Sequence, residues 1–434
     1  MIIRAALEDW DDRINYFLPN TSDKRWFENQ SYLRTLGDYL TNDYMEKGAI
    51  PKNVTPEYKN VVYKHKDNFI GKGGQYVYIV SILNVLYFSD NHDDGFKYVD
   101  QGILEDVRRG MCDIIFIQDT EGMSGMYGTR TENDFLTIQK WCVQDRIPFD
   151  RVHYICGNLL SDKVAKRQGC QYNVIPVTVQ DIWINIGDYP DEIMEFNPTD
   201  GKYLYLNYSR RPRYHRVFFY SLLLKEGIFE IGTNSFNDMG WPIPFGQLKV
   251  SDPDIGEYAQ KLFDMCPITI DRENASDDIT LYMNLNDYER TFISVVTETL
   301  YEDGTLFNSE KIWKPIIMGH PFIILGNRSH LKWLKDQGFK TFDKWIDESY
   351  DQEYRMEDRS KKIVSELKRL SELPIEELKI IREEMKPICR FNKDLMMERV
   401  KNRFHTENKF YRLLPTSEEI RKIYSQRVQN KRII

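Results

Sequence analysis

The apolar positions of this chain fall into short β-branched runs that alternate with stretches of helical periodicity. In the first half, apolar runs suited to buried strands lie at 77–87, 112–117, 152–158 and 172–177, and helical stretches lie at 104–109 and 135–142. Strands that alternate with helices at this spacing indicate a parallel sheet covered by helices. The pattern therefore predicts an α/β fold for this half of the chain.

The alternation is interrupted once and then resumes. Residues 187–201 contain Pro190, Pro198 and Gly201 and carry no periodic pattern, so we expect a linker there. A strand at 202–207 and a helix that reaches about Lys225 follow directly. The expected organisation is an α/β domain at 1–190, a second α/β domain at 200–395 and a basic helical tail at 396–434.

The most informative stretch is the strand, loop, helix and strand that follow residue 290. A buried run at 291–296 leads to the carboxylate of Glu298, and Asn308 or Ser309 can cap a helix that Gly319 ends. The start of such a helix lies at the ligand-binding edge of a parallel sheet and attracts anions. Lys311 adds positive charge, and the Glu310 carboxylate can accept hydrogen bonds from hydroxyls, which suits a sugar–diphosphate. Alternatively, Glu310 forms a surface pair with Lys314.

These residues resemble the donor-binding half of the α-1,3-fucosyltransferase family. The match covers roughly residues 200–345 and includes Ser309-Glu310-Lys311, Gly319, Pro321 and the strand-end carboxylate Glu298. The expanded segment Trp313-Lys314-Pro315 is more similar to glycosyltransferases carried by large tailed phages. The resemblance implies two Rossmann-like domains in a GT-B arrangement, with the donor on the second domain and the C-terminal tail 396–434 crossing back to the first domain. It also implies hexosyl or pentosyl transfer, with donor contacts from Thr297, Glu298, Ser309, Glu310 and Lys311.

A second candidate group follows the strand at 202–207. Four arginines, Arg210, Arg211, Arg213 and Arg216, occur within seven residues where a helix begins. Arginine grips phosphate with a planar pair of donors, and the helix dipole disfavours a basic helix start that has no such role. In the family pattern an Asn ends this strand and an Arg binds the donor diphosphate. Asn207 and either Arg216 or Arg210 resemble that pair, and Arg211 is a further candidate for donor binding. Alternatively, one or two of these arginines bind an acceptor phosphate, or the group is a solvated basic surface.

Transfer of a sugar also requires a base that deprotonates the acceptor hydroxyl. Asp119 and Glu121 lie just past the strand at 112–117, where a cleft is expected, so we predict that one of them is this base. A helix cap or a salt bridge is the alternative role for both. The Asp-x-Asp motifs at 9–11 and 252–254 follow no convincing strand. We therefore expect no metal and no cofactor beyond the nucleotide-sugar co-substrate. Deprotonation of the acceptor hydroxyl by a base as it attacks fits an inverting mechanism, which we also expect.

Charge and composition restrict the partners. The net charge of −8 argues against a protein that coats nucleic acid, but from Arg399 onward ten Lys or Arg face three Asp or Glu. Two explanations of this basic end stay open: a structural role in a terminal helix that crosses back to the first domain, or a surface that helps to hold a polyanionic acceptor such as DNA. No run of 18 apolar residues occurs and no CxxC pair is present, so we expect an unanchored cytoplasmic protein. Three acceptor hypotheses stay open: a hydroxymethylated pyrimidine in double-stranded phage DNA, a carbohydrate, or none in a non-catalytic protein.

Overall fold

The computed structural model describes two compact units that meet in the sequence between Ile182 and Trp183, the second extending to Val400. The described residues are 14–17, 75–81, 95–96, 99, 101–118, 134–176, 190–198, 201–209, 211–238, 240, 242–268 and 284–402.

The first unit contains a parallel sheet of five strands in the order β1-β2-β3-β4-β5. The strands are β1 (Ile14–Phe17), β2 (Gln75–Ser81), β3 (Cys112–Gln118), β4 (Val152–Cys156) and β5 (Asn173–Pro176). The helices described between them are α1 (Gln101–Arg108), α2 (Asp134–Gln144) and α3 (Ser161–Arg167), with a 3-10 turn at Phe149–Arg151. The expected strands at 112–117, 152–158 and 172–177 are confirmed, as are the helices at 104–109 and 135–142.

Aromatic side chains fill the space between this sheet and its helices. Phe116 of β3 and Trp141 of α2 are both fully buried, and their ring centroids lie 6.5 Å apart. The ring of Tyr154 on β4 packs edge-on against Phe135, and its hydroxyl donates to the buried carboxylate of Asp134 at 2.8 Å. A buried tyrosine hydroxyl needs such a partner, because an unpaired polar group inside a core is costly.

The second unit contains a parallel sheet of four strands in the order β7-β6-β8-β9. The strands are β6 (Tyr205–Tyr208), β7 (Thr233–Ser235), β8 (Ile293–Thr297) and β9 (Phe322–Leu325). The helices are α4 (Tyr214–Lys225), α5 (Phe245–Ser251), α6 (Ile255–Asp264), α7 (Leu285–Arg290), α8 (Glu310–Ile317), α9 (His330–Asp336), α10 (Met356–Ser371) and α11 (Ile375–Asn402), with a 3-10 helix at Glu348–Gln352. Two units with parallel sheets and C-terminal helices confirm the predicted α/β class.

The core of the second unit lies on both faces of its sheet. Every residue of β8 and β9 is buried, as expected for parallel strands covered by helices on both sides. Helix α4 is buried almost all round from His215 to Leu223. A Cβ atom on Gly232 would lie 2.1 Å from the buried ring of Tyr205, so only glycine fits where these two residues meet.

Part of the expected linker is packed onto the second unit. We call residues 190–197 the strap. Its Ile193 side chain lies against Gly319, which ends α8 with a φ of +63°, and a Cβ there would come within 2.2 Å of it. Phe196 stacks edge-on with Phe292, their ring centroids 5.8 Å apart. The strap therefore belongs to the core of the second unit.

Basic side chains of α11 hold the strap by its acidic residues. Lys386 Nζ lies 2.6 Å from Glu195, and Arg390 Nη2 lies 3.0 Å from Glu192. Lys393 also donates to the carbonyl of Pro190. Helix α11 extends to Asn402 through an internal Pro387. Of the predicted tail 396–434, only the first residues fall within the described part of the chain. No described helix is both long and apolar enough to span a membrane.

Candidate functional site

The candidate site lies at the carboxyl edge of the second sheet, where the neighbouring strands β6 and β8 end. Strand β6 ends at Tyr208 and leads to the start of α4, and β8 ends at Thr297 and leads to the start of α8. The two helix starts lie at this edge because each helix follows the end of a strand. Ser309 caps α8 as predicted, since its side chain accepts a hydrogen bond from the backbone N–H of Lys311.

Glu298 is enclosed beneath the start of α8. Its side chain is fully buried and accepts hydrogen bonds from Ser309 Oγ at 2.5 Å and from the backbone N–H of Thr299 at 3.0 Å. Burial raises the pKa of this carboxyl, although the nearby charge of Lys311 opposes the shift. The described contacts of Glu298 therefore fix the loop and the helix start.

Lys311 and Glu310 form a half-buried ion pair in the first turn of α8. Lys311 Nζ lies 2.7 Å from Glu310 Oε1, 3.3 Å from Ser309 Oγ and 3.4 Å from Thr299 Oγ1. The two side chains are 23% and 18% exposed. Burial acts to raise the pKa of Glu310, but the charge and hydrogen bond of Lys311, aided by the charge of Lys314 and by the backbone N–H of Glu310, outweigh it and the pKa is lowered. The carboxylate is thus ionised at neutral pH.

Arg216 is buried and turned toward the backbone of β8. Its Nη2 donates to the carbonyls of Thr297 at 3.0 Å and Glu298 at 3.1 Å, and its Nη1 donates to the carbonyl of Arg211 at 3.3 Å. The side chain is 3% exposed, and burial, aided by the charge of Arg213, lowers its pKa to about 10. These contacts join the two strand ends.

Two neighbours strengthen this connection. Arg213 Nη1 donates to the carbonyl of Thr299 at 2.8 Å, and His215 Nε2 donates to the carbonyl of Glu298 at 2.8 Å. Burial and the charge of Arg216 lower the pKa of His215 well below its usual value, so its imidazole is neutral. The start of α4 and the end of β8, more than 80 residues apart in sequence, are therefore held together at one edge of the sheet. The side chain of Arg211, by contrast, is exposed.

Asn207 lies where the two strands touch. Its Oδ1 accepts a hydrogen bond from Thr297 Oγ1 at 3.3 Å, whereas its fully buried Nδ2 has no partner among the described residues. Within the same part of the chain, the hydroxyl of Ser209, 3% exposed, likewise has no partner. Buried polar groups are rarely left unpaired, so this edge retains hydrogen-bonding capacity.

The structure thus brings together Asn207, Arg211, Arg216, Thr297, Glu298, Ser309, Glu310 and Lys311, whereas three other predicted residues, Arg210, Asp119 and Glu121, lie outside the described residues. Of the two Asp-x-Asp motifs, 9–11 also lies outside them. In the other, Asp252 pairs with Lys225 at 2.9 Å and accepts from the backbone N–H of Asp254. Within the described ranges, no three His, Cys, Asp or Glu side chains come together as a possible metal site.

Two further residues support the site, although neither was predicted from the sequence. Arg359 Nη2 donates to the carbonyl of Tyr301 at 2.7 Å, and Asn327 Nδ2 donates to Thr305 Oγ1 at 2.7 Å, so both hold the loop between β8 and α8. The sequence around Arg359 in α10 is highly charged and therefore resembles a solvated helix surface. Asn327 is a polar residue that closely follows a buried strand, and this position could have predicted a role at the edge of the sheet.

Comparison with known proteins yields only distant likeness. Neither a protein-family model nor a curated protein matches the chain, so the fucosyltransferase resemblance rests on the motif residues alone. Several solved structures are similar to it, among them two of the same phage protein. A mutant of T4 phage BGT in complex with UDP-glucose shares 10% identity over 78% of this chain and 83% of that chain, with a TM-score of 0.34. T4 phage BGT in complex with UDP and Mn²⁺ shares 10% identity over 84% and 97%, with a TM-score of 0.33. Likeness at this level carries no inference about fold or function.

Proposed function

We propose that this protein is a nucleotide-sugar-dependent glycosyltransferase of the GT-B type whose donor diphosphate binds at the carboxyl edge of the second sheet. The observation that supports the proposal is the convergence there of the basic segment 211–216 and the start of α8. Cations gather at this edge with two carboxylates, Glu298 and Glu310, among them. A helix start with surplus positive charge stabilises a diphosphate as it leaves the sugar.

The residues divide into two roles in this proposal. Lys311, which is partly exposed, and Arg211, which is exposed, neutralise the diphosphate, and the amide of Asn207, which has no partner among the described residues, donates to it. Glu310 accepts from hydroxyls of the ribose or the sugar. Glu298 and Arg216 act as positioning residues, because their described contacts fix the helix start and the strand ends. Asp119 or Glu121 serves as base, with inversion at the sugar and without a metal.

The proposed acceptor is a hydroxymethylated pyrimidine in double-stranded phage DNA. Two observations support it: the resemblance to phage glycosyltransferases, and the ten basic against three acidic residues from Arg399 onward. An enzyme of this kind must expose its target base by flipping it or reach it in the major groove. A carbohydrate acceptor is the alternative, and it needs no basic surface.

Donor binding is tested by calorimetric titration with UDP, GDP and their sugars. One nucleotide should bind, and Lys311→Ala and Arg211→Ala should each weaken it about tenfold or more, since hydrogen bonds to charged groups are worth about 1.5–3 kcal/mol. Lys368→Ala is the matched control, because Lys368 pairs with Glu226 at the end of α4, away from the site. Absence of binding by every nucleotide in the folded protein would overturn the proposal.

Acceptor choice is tested by incubating the protein with the bound nucleotide sugar and either hydroxymethylated DNA or a panel of glycans. Mass increase of the DNA, abolished by higher salt, supports the DNA acceptor. Mass increase of a glycan alone contradicts it while leaving the transferase intact. Donor binding without transfer to any acceptor, and without hydrolysis, supports the non-catalytic alternative.

A further inference from the structure

The ammonium group of Lys311 already has three acceptors around it. They are Glu310 Oε1, Ser309 Oγ and Thr299 Oγ1, at 2.7, 3.3 and 3.4 Å. An ammonium has three N–H groups, so these contacts use its whole donating capacity. A phosphate that reaches Lys311 must displace at least one of them.

Glu310 is the partner that an arriving diphosphate displaces. The Ser309 hydroxyl is tied to Glu298 at 2.5 Å and caps the helix, so it cannot move away without opening α8. Among the described contacts, the Glu310 carboxylate caps no helix and bonds to no second side chain that does. Besides Lys311 it is stabilised by its own backbone N–H and by the charge of Lys314, and its side chain is 18% exposed. Like charges also repel, so a phosphate near Lys311 drives this carboxylate away.

We propose that Glu310 competes with the diphosphate for Lys311, and that the hydroxyls of the donor sugar or ribose capture the carboxylate once it is displaced. The inference rests on the proposed function and deepens it. Glu310 then acts as a specificity residue. It disfavours a bare anion, which offers no hydroxyl in exchange, and it favours the intact donor over the diphosphate product.

The variant that tests the competition is Glu310→Gln, which keeps the shape of the side chain and removes its charge. Inorganic pyrophosphate should bind about fivefold tighter to Glu310→Gln than to the parent, the size of one partly exposed charge interaction. The nucleoside diphosphate should also bind tighter, by a smaller factor, because its ribose still offers hydroxyls. The nucleotide sugar should bind equally or more weakly, because a neutral amide accepts less strongly than a carboxylate.

The matched control is Glu226→Gln. Glu226 pairs with Lys368 at 2.7 Å, the same separation as the pair in the site, but at the opposite end of α4. This variant should leave all three affinities unchanged. A gain in pyrophosphate affinity equal in both variants would indicate a general effect of net charge and would overturn the competition.

The remaining outcomes separate this inference from the proposed function. Weaker or unchanged pyrophosphate binding by Glu310→Gln means that the carboxylate supports Lys311 or is idle, and the inference is wrong even if nucleotide sugars bind. Tighter pyrophosphate binding without affinity for any nucleotide sugar upholds the competition and rejects the transferase. No pyrophosphate binding by either protein rejects the competition.

Discussion

A buried arginine lies at one edge of each sheet, and the two arginines have different hydrogen-bond partners. At the amino edge of the first sheet, Arg151 Nη1 pairs with Asp113 Oδ1 at 3.0 Å, and both side chains are largely buried. His153 on the next strand lies 3.7 Å from the same carboxylate. At the carboxyl edge of the second sheet, the buried Arg216 instead donates to backbone carbonyls.

This difference separates a closed cluster from one that can accept a ligand. A carboxylate paired with a buried arginine neutralises it, so the first cluster has no need of a further anion. Backbone carbonyls accept from both terminal nitrogens of Arg216, and no described carboxylate lies within ion-pair distance of it, so its charge is not neutralised by a direct partner. The second edge therefore keeps a positive potential after all its internal hydrogen bonds are made.

The largest expected loss of stability comes from breaking the ion pair between Arg151 and Asp113. Asp113→Asn leaves Arg151 buried beside an uncharged amide, which should cost about 3–5 kcal/mol. Hydrogen exchange of peptides from β3 and β4 in urea measures the loss. Adding Arg151→Met should restore part of it, and an unchanged stability in the single variant would show that the pair contributes nothing.

Removing Arg216 should cost somewhat less. Arg216→Met leaves the carbonyls of Thr297 and Glu298 without their donor, for about 2–4 kcal/mol, while the buried charge disappears with the side chain. Exchange of peptides from β8 reports the effect. Exposed Arg211 is the control, since Arg211→Ala should change stability by about 0.5 kcal/mol or less.

Acid should act on the two clusters with opposite sign. Burial acts to raise the pKa of Asp113, but His153 and Arg151 lower it overall, so its contribution to stability is present above its ordinary value of 3.8 and is lost as pH falls through the lower folded value. Burial raises the pKa of Glu298, so its contribution is fully present below its ordinary value of 4.5 and is lost as pH rises through the higher folded value.

Urea unfolding of the parent, of Asp113→Asn and of Glu298→Gln between pH 3 and pH 7 checks these signs. Acidification below the ordinary Asp113 value should destabilise the parent relative to Asp113→Asn, by about 1.4 kcal/mol for each unit of pKa shift. Acidification from neutral pH toward 4.5 should stabilise the parent relative to Glu298→Gln. Parallel pH profiles for parent and variants would contradict both assignments.

The smallest expected effect sharpens the contrast at the site itself. Glu298→Gln keeps an oxygen that accepts from Ser309 and removes the buried charge. At pH 7 it should therefore change stability by no more than about 1 kcal/mol, whereas Glu298→Ala removes the hydrogen bonds and should cost about 1–3 kcal/mol. Equal losses in the two variants would show that the charge itself is required.

The sequence predicted the local elements of the site because their signals are local. A β-branched run indicated β8, and a serine followed by polar first-turn residues indicated the start of α8. The direction of the Arg216 side chain depends on contacts with a strand 81 residues away, which no local pattern contains. For the same reason the polar, proline-containing strap looked like a free linker, although its apolar residues at 193, 194 and 196 pack on the second unit.

The strap has a practical consequence for work with fragments of this protein. A recombinant second unit that began at Lys202, where the sequence pattern places its first strand, would lose Ile193 and Phe196 from its core. It would also leave Lys386 and Arg390 of α11 without their acidic partners. Such a fragment would expose fresh apolar surface and tend to aggregate. A fragment that begins upstream of Pro190 keeps these contacts and is the better choice for nuclear magnetic resonance or for screening.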